Sequence, residues 1–254
     1  MLIFQEPAPT RYDLHFSVAG IPIRVHPLFW LMTLLFGASA GGILSVLVWV
    51  AVVFVSIVVH ELGHAFAMHF YGRPSHIVLY MGGGLAVPES VSWGYRQADV
   101  SFSVNQQVVV SLAGPLAGFL LAGLTLLGVV IAGGSVRLAL LFGFLPFPAV
   151  SLSALPWAGG LAGMIVGTIL WVNIFWGLIN LVPVIPLDGG HVARALWIKA
   201  DPWDGARKSL WLSVVAGAVM AAAGLILMQS VFVALMFGLL AFQSYMMVQG
   251  RSMM

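Results

Sequence analysis

Two histidines four residues apart, with a glutamate directly after the first, are the residues of this chain best suited to chemistry. They form the run His60-Glu61-Leu62-Gly63-His64 inside an apolar stretch. On a helix, residues i and i+4 leave the same face, so both imidazoles can bind one metal ion. Glu61 lies roughly 100° round the helix, where its carboxylate can reach an activated water without being a ligand. HExxH is the signature of helical zinc hydrolases, in which the glutamate is the general base.

The composition places this motif in a membrane. Of the 254 residues, 61% are hydrophobic and only 7% are charged, whereas a soluble domain carries about 25% charged residues. We therefore predict an all-α polytopic membrane protein. Ionisable groups at membrane depth cost about 2.5–3.5 kcal/mol on insertion scales, which makes the motif a functional-site candidate by default. Cysteine is absent, so any metal must be held by His, Asp or Glu.

Six transmembrane helices are predicted from the apolar stretches, since about twenty apolar residues cross a bilayer. Their predicted ranges are 28–38, 43–70, 107–132, 159–181, 209–228 and 231–248. The first range is short, so either residues 21–25 extend it or the helix is tucked against others. The apolar but proline-broken stretch 137–157 is predicted to be an outer loop or a half-helix.

The basic residues support this arrangement. With the N-terminus inside, nine of them fall on one side of the membrane: Arg11, Arg24, Arg73, Arg96, Arg194, Lys199, Arg207, Lys208 and Arg251. Only Arg137 falls on the other side. This asymmetry satisfies the positive-inside rule and predicts that both termini are cytoplasmic. It also places His60 and His64 toward the cytoplasmic half of the membrane.

Asp188 is the candidate for a third metal ligand, because catalytic zinc usually keeps three protein ligands and one open position. Of the eight acidic residues, Glu61 and Asp188 are the two in apolar surroundings. Pro183 and Pro186 cannot continue a helix without losing hydrogen bonds, so we predict that the fourth span unwinds after Asn180. Irregular backbone at membrane depth is tolerated where it lines a wet cavity. The alternative is that Asp188 is an ordinary cap of the next helix.

Three motifs together resemble the site-2 protease family of intramembrane zinc metalloproteases. They are His-Glu-Leu-Gly-His at 60–64, Asn-Leu-Val-Pro at 180–183 and Leu-Asp-Gly-Gly at 187–190. Residues 21–27 also look like the start of the family's first core helix, and residues 113–117 look like its third-helix motif. That motif often has an asparagine at the position of Gly118. The resemblance covers about residues 20–199, most of the chain.

The resemblance implies one zinc ion per chain, held by His60, His64 and Asp188. It implies that Glu61 is the catalytic base and that Asn180 stabilises the oxyanion or positions substrate. It further implies an intramembrane endopeptidase for regulated intramembrane proteolysis. The expected partners are the lipid bilayer and a single-span membrane-protein substrate, with no role for nucleic acid.

The resemblance also implies a small membrane-associated β-hairpin between helices two and three, within a cytoplasmic-side loop at 71–106. Its candidate substrate-binding strand is the β-prone run Ile77, Val78, Leu79, Tyr80 and Met81. A protease cuts an extended backbone, and an exposed strand edge can hold one through main-chain hydrogen bonds. The simpler alternative is a plain cytoplasmic loop.

The domain plan is expected to be minimal. We predict a single transmembrane metalloprotease domain over residues 1–254, with a cytoplasmic N-terminal segment at 1–20 and no PDZ or CBS domain. This plan is similar to the minimal prokaryotic branch of the family, which suggests a prokaryotic inner membrane. A transporter with an ion path of His and Asp is one alternative, but we find no internal repeat of the kind transporters often show. An inactive homologue is another, and an intact Glu61 argues against it.

Overall fold

The computed structural model describes residues 6–38, 41–89, 92–93, 96–97, 102–152 and 160–252. The chain forms two compact units. The first comprises Met1–Val100, Ala113–Ala139 and Pro146–Gly177, and the second comprises Ser101–Leu112, Leu140–Leu145 and Leu178–Met254. A single domain over 1–254 therefore stays a prediction. Parts of the predicted N-terminal segment and of the loops at 71–106 and 137–157 lie outside the described residues.

Seven helices lie within the described part of the chain. They are α1 (Pro27–Gly37), α2 (Ile43–Phe70), α3 (Val104–Ile131), α4 (Gly160–Asn180), α5 (Asp188–Ala200), α6 (Gly205–Ile226) and α7 (Val231–Ser252). Five of these, all except α1 and α5, are long and apolar enough to cross a membrane. The eleven residues of α1 span about 16 Å at 1.5 Å per residue, roughly half of a hydrocarbon core. The predicted six-helix count depends on α1 and stays a prediction.

Helix α4 contains a change of helical type. It is α-helical over Gly160–Leu170, π-helical over Trp171–Trp176 and α-helical again over Gly177–Asn180. The helix ends at Asn180, which confirms the predicted unwinding before the two prolines. After an irregular segment, α5 begins at Asp188. In the second unit, α5 packs on α6 and α6 packs along α7.

Four strands form the main sheet, in the order β1 (Leu14–Val18), β2 (Ile21–Val25), β3 (Ser75–Tyr80) and β4 (Gly83–Pro88). β1–β2 and β3–β4 are antiparallel pairs, whereas β2 and β3 run parallel. The apolar side chains of β2 and β3 pack with α1 and α2 in one buried core. The sheet is thus attached to the helix that carries the HExxH motif.

The prediction that Ile77 to Met81 offers a free strand edge is wrong. Residues Ile77, Val78 and Leu79 pair with β2 on one side and with β4 on the other, and Met81 lies in the turn that follows. The partner strand β2 comes from about fifty residues earlier, so the local sequence of β3 carries no sign of this pairing. Among the described residues, the edges of the sheet are β1 and β4.

The half-helix, one of the two possibilities predicted at 137–157, is wrong where the structure describes this stretch, while the position of the stretch outside the membrane stays a prediction. Strands β7 (Ser135–Leu141) and β8 (Leu145–Ser151) form a two-stranded sheet there. Pro146 and Pro148 are two apart, so their missing N–H groups face the same side, as an edge strand allows. Two further short strands, β5 (Ser92–Trp93) and β6 (Arg96–Gln97), pair with each other.

An ion-pair cluster ties the N-terminal segment to the main sheet. The Arg24 guanidinium lies 2.8 Å from Asp13 Oδ2 and 2.8 Å from Glu6 Oε1. Burial of the Asp13 carboxyl acts to raise its pKa, but hydrogen bonds from Thr10 and Arg24 outweigh that effect and lower the pKa to about 2. Asp13 therefore stays ionised, and the ion pair stays intact, at neutral and mildly acidic pH.

Candidate active site

His60 and His64 converge on one point. Both side chains are buried on α2, and their Nε2 atoms lie 3.1 Å apart. Zinc binds imidazole nitrogen at 2.0–2.1 Å, so two nitrogen ligands at a tetrahedral angle lie about 3.3 Å apart. The observed separation fits two ligands of one ion.

Gly114 leaves the space in which such an ion would lie. A Cβ atom on Gly114 would be 2.2 Å from His64 Nε2 and 2.8 Å from His60 Nε2. The backbone of α3 therefore faces the Nε2 atoms of both histidines with no side chain between. The residues present fit a zinc ion, both by their chemistry and by the room that this glycine leaves.

Gly63, inside the HExxH motif, sets the spacing of α2 and α3. A Cβ on Gly63 would be 2.4 Å from the Ala113 carbonyl oxygen and 2.9 Å from Ala117 Cβ. Any side chain at this position would push the two helices apart. Close approach through small residues is the usual way in which membrane helices pack tightly, and here it brings Gly114 up to the histidines.

Glu61 lies beside the histidines and against the sheet. One ligand atom from each of His60, Glu61 and His64 lies within 4.8 Å of the others, and Glu61 is only 6% exposed. A Cβ on Gly84 of β4 would be 2.4–2.6 Å from the Glu61 side chain. Burial raises the pKa of the Tyr80 phenol to about 12, and the Glu61 charge adds to the rise. Tyr80 therefore stays protonated at neutral pH.

A buried amide contacts α2 one turn before His60. Asn173 lies in the π-helical turn and is 4% exposed. Its Nδ2 donates to Ser56 Oγ and to the Ile169 carbonyl oxygen, each at 2.8 Å. Ser56 precedes His60 by four residues, so it lies on the same face of α2 as His60 and His64.

Asp188 and Asn180 lie in the second unit. Asn180 is the last residue of α4, and Asp188 is the first helical residue of α5. The residue at the cap position is Leu187, so Asp188 is not the cap itself. Cβ atoms on Gly189 and Gly190 would lie within 2.6 Å of the carbonyl groups of Leu181 and Val184 respectively. Because these two glycines have no side chain, the backbone of residues 181–184 can pack directly against the start of α5.

The comparison with known families identifies the chain. Residues 48–222 match peptidase family M50, and this match covers α2 through most of α6. The chain belongs to peptidase family M50. The matched region contains the HExxH motif and both of the motifs around Asn180 and Asp188.

Two curated proteins extend the comparison. A zinc metalloprotease of Methanocaldococcus jannaschii is 27% identical over 189 residues, which are 72% of this chain and 45% of that protein. A provisionally named zinc metalloprotease of Synechocystis is 31% identical over 195 residues, 71% of this chain and 42% of that protein. The chain thus spans less than half the length of these curated relatives.

A solved structure shows the same fold. The site-2 protease from Methanocaldococcus jannaschii matches with a TM-score of 0.53 and 23% identity, over 93% of this chain and 95% of that chain. The M50 chain described here is therefore an integral membrane protein, mainly helical, with a small β-sheet.

Two glycines of this site were not foreseen from the sequence. The structure brings His60, Glu61 and His64 together, as their spacing indicates. The roles predicted for Asn180 and Asp188 stay predictions. Gly84 and Gly114 line the same three side chains. Gly114 stands in a stretch that resembles the family's third-helix motif, but neither its spacing nor its residue type indicates that it faces His60 and His64.

Proposed function

We propose that this chain is a zinc-dependent endopeptidase that cleaves other membrane proteins within their membrane-spanning segments. The convergence of His60 and His64 Nε2 on the space left by Gly114, with Glu61 beside them, is the observation that carries this proposal. Membership of family M50 supports the chemistry, and the five apolar helices support the membrane setting.

Each polar residue has one task in this proposal. His60, His64 and Asp188 hold one zinc ion, which supplies the Lewis acid that polarises the scissile carbonyl. Glu61 takes a proton from the attacking water and passes it to the leaving amine. The Asn180 amide donates a hydrogen bond to the developing oxyanion or positions the substrate beside it.

In this proposal the substrate binds along the outer edge of β4. This strand takes the substrate-binding role that the sequence predicted for β3. Within the described residues, β4 pairs with β3 on one side only. Gly84 of β4 lies against the Glu61 carboxylate, so a peptide added along this edge passes close to the catalytic base. Strand addition to a free edge uses main-chain hydrogen bonds and therefore tolerates different substrate sequences.

The register of the β3–β4 pair identifies the outward-facing groups of that edge. The Glu89 N–H donates to the Pro74 carbonyl at 2.8 Å, and Ser75 then faces Pro88 in the register. Hydrogen-bonded and non-hydrogen-bonded pairs alternate in an antiparallel ladder. Gly84 and Ala86 are therefore the β4 residues that direct N–H and C=O groups outward.

The first prediction tests this edge. Ala86→Pro removes an outward N–H and places a ring carbon on the edge, which an edge strand accepts structurally. The cleavage rate of a single-span substrate should fall by about two- to twelvefold, the equivalent of one lost hydrogen bond of about 0.5–1.5 kcal/mol, while the zinc content stays unchanged. Ala86→Ser keeps the N–H and is the matched control. Full activity of the Ala86→Pro protein would show that substrate is held elsewhere.

The second prediction tests the zinc site and the function together. Purified wild-type protein should contain about one zinc per chain by elemental analysis and should cleave tagged single-span substrates until a chelator is added. Asp188→Ala should lose most of the zinc, because it removes a ligand. Asp204→Ala replaces an exposed acidic residue and is the matched control. This variant should retain its zinc. Undiminished zinc in the Asp188→Ala protein would exclude Asp188 from the site.

The proposed setting is a prokaryotic inner membrane with both termini in the cytoplasm. The distribution of the ten basic residues supports this orientation. It requires that α1, together with the buried strand β2 that precedes it, completes a crossing. Cleavage then takes place toward the cytoplasmic half of the membrane, where a substrate helix can unwind near water.

A further inference from the structure

A buried serine of α6 holds the irregular segment that leads to Asp188. This segment covers residues 181–187, between the end of α4 and the start of α5. The Ile185 N–H donates to Ser213 Oγ at 3.2 Å, and this hydroxyl in turn donates to the Ser209 carbonyl oxygen at 3.1 Å. Ser213 is only 1% exposed. Its hydroxyl thus connects α6 to the backbone that precedes Asp188.

The backbone hydrogen bonds of the segment explain why an acceptor from another helix is used. Pro183 and Pro186 have no N–H, which leaves five backbone donors among residues 181–187. Four of these donate to carbonyl oxygens two or three residues back in the chain: Leu181, Val182, Val184 and Leu187. The fifth, Ile185, donates to Ser213. Serine side chains of neighbouring helices commonly satisfy the backbone groups that proline frees in membrane proteins.

The first turn of α5 packs against the same peptide group. A Cβ on Gly190 would be 2.5 Å from the Val184 carbonyl group and 2.6 Å from the Ile185 nitrogen. The peptide that joins Val184 to Ile185 therefore contacts both α5 and the Ser213 hydroxyl. A shift of this peptide would move the start of α5, where Asp188 lies.

We propose that Ser213 is a positioning residue for the third zinc ligand. By accepting the hydrogen bond from Ile185, its hydroxyl fixes the backbone that presents the Asp188 carboxylate to the metal. Groups that orient a metal ligand commonly change metal affinity by about 10–100-fold when they are removed. The inference rests on the proposed function, in that Asp188 is taken to bind zinc.

The test removes the hydroxyl and measures zinc affinity. Ser213→Ala deletes the acceptor and places the best helix former in α6, so the helix should form. The zinc dissociation constant of the purified full chain is measured by competition with a chromogenic chelator. It should rise about tenfold, the lower end of the range for groups that orient a ligand, because the segment before Asp188 loses its anchor.

The matched control lies one turn away on the same helix. Ser209 is equally buried, at 1% exposure, but its hydroxyl donates to the Ala206 carbonyl oxygen of α6 itself. Ser209→Ala therefore removes a buried hydroxyl without touching the segment, and its zinc affinity should not change. Far-ultraviolet circular dichroism and gel filtration of both variants report whether the fold is retained.

A double-mutant cycle shows whether Ser213 acts through Asp188. Once Asp188→Ala has removed the carboxylate, Ser213→Ala should weaken the residual zinc binding by less than about twofold, whereas independent effects would multiply. This readout separates a positioning role from a merely structural one, because a structural defect would weaken zinc binding in either background.

The outcomes for Ser213 and for the proposed function are distinct. Unchanged zinc affinity in Ser213→Ala, equal weakening in Ser209→Ala, or a full further loss in the double variant would overturn the inference. A Ser213→Ala protein that fails to fold would also overturn it, since the hydroxyl would then serve the whole fold. Absence of zinc from the wild-type protein, or undiminished zinc in Asp188→Ala, would instead overturn the zinc site of the proposed function.

Discussion

Glu61→Gln should reduce the cleavage rate by about 10²–10⁴-fold, the range that general acid–base catalysis contributes, and should leave about one zinc per chain. Glutamine keeps the size of the side chain but cannot take a proton from water. The buried position of Glu61, against Gly84 and beside both histidines, leaves room for an isosteric replacement only. Cleavage of a tagged single-span substrate and elemental analysis of the same sample are the two measurements.

The cleavage rate and the zinc content of Glu61→Gln together distinguish a catalytic base from a metal ligand. Glu89→Gln changes an exposed glutamate that directly follows β4 and is the matched control, with expected wild-type activity and zinc. Cleavage near the wild-type rate by Glu61→Gln would exclude Glu61 as the base. Simultaneous loss of zinc and activity would mean that Glu61 is itself a ligand.

Gly114→Ala should remove zinc almost completely. The added methyl carbon would lie 2.2 Å from His64 Nε2 and 2.8 Å from His60 Nε2, far inside van der Waals contact. Both rings would have to turn away from the point on which they converge, so two ligands are lost together. We expect zinc affinity to fall by more than about 100-fold, beyond the range of changes in outer hydrogen-bond partners.

The control for Gly114→Ala lies on the same helix. Gly128→Ala introduces the same methyl group where nothing lies within 4 Å, and it should keep full zinc content. The far-ultraviolet circular dichroism and gel-filtration profile of both variants report whether the fold is retained. A folded Gly114→Ala protein with one zinc per chain would show that the ion is not held where His60 and His64 converge.

The sequence indicates those features that depend on local chemistry. Helix α2 has its predicted limits because its apolar run is long and uninterrupted, and α4 ends at Asn180 because two prolines follow. His60 and His64 come together because their spacing sets a shared helical face, and Glu61 is adjacent to His60 in the chain. None of these features requires knowledge of a distant partner.

The features that the sequence does not indicate depend on partners far along the chain. β3 is an interior strand because β2 pairs with it across about fifty residues, and strand propensity says nothing about which side is occupied. Pro146 and Pro148 indicate a break in an apolar segment, but prolines two apart also suit an edge strand. Gly84 and Gly114 are important because the side chains of Glu61 and of the two histidines approach them closely. These contacts are visible only in the packed structure.

The close backbone approach at Gly63 and Ala113 also determines how the protein responds to bilayer thickness. Membrane helices adapt to thicker or thinner lipid by changing their tilt. The close contact between α2 and α3 lies one residue from His64 and from Gly114. We expect a change of tilt about this contact to displace the helix ends more than the imidazole nitrogens of His60 and His64. The proposed zinc site should therefore keep its geometry in bilayers of different thickness.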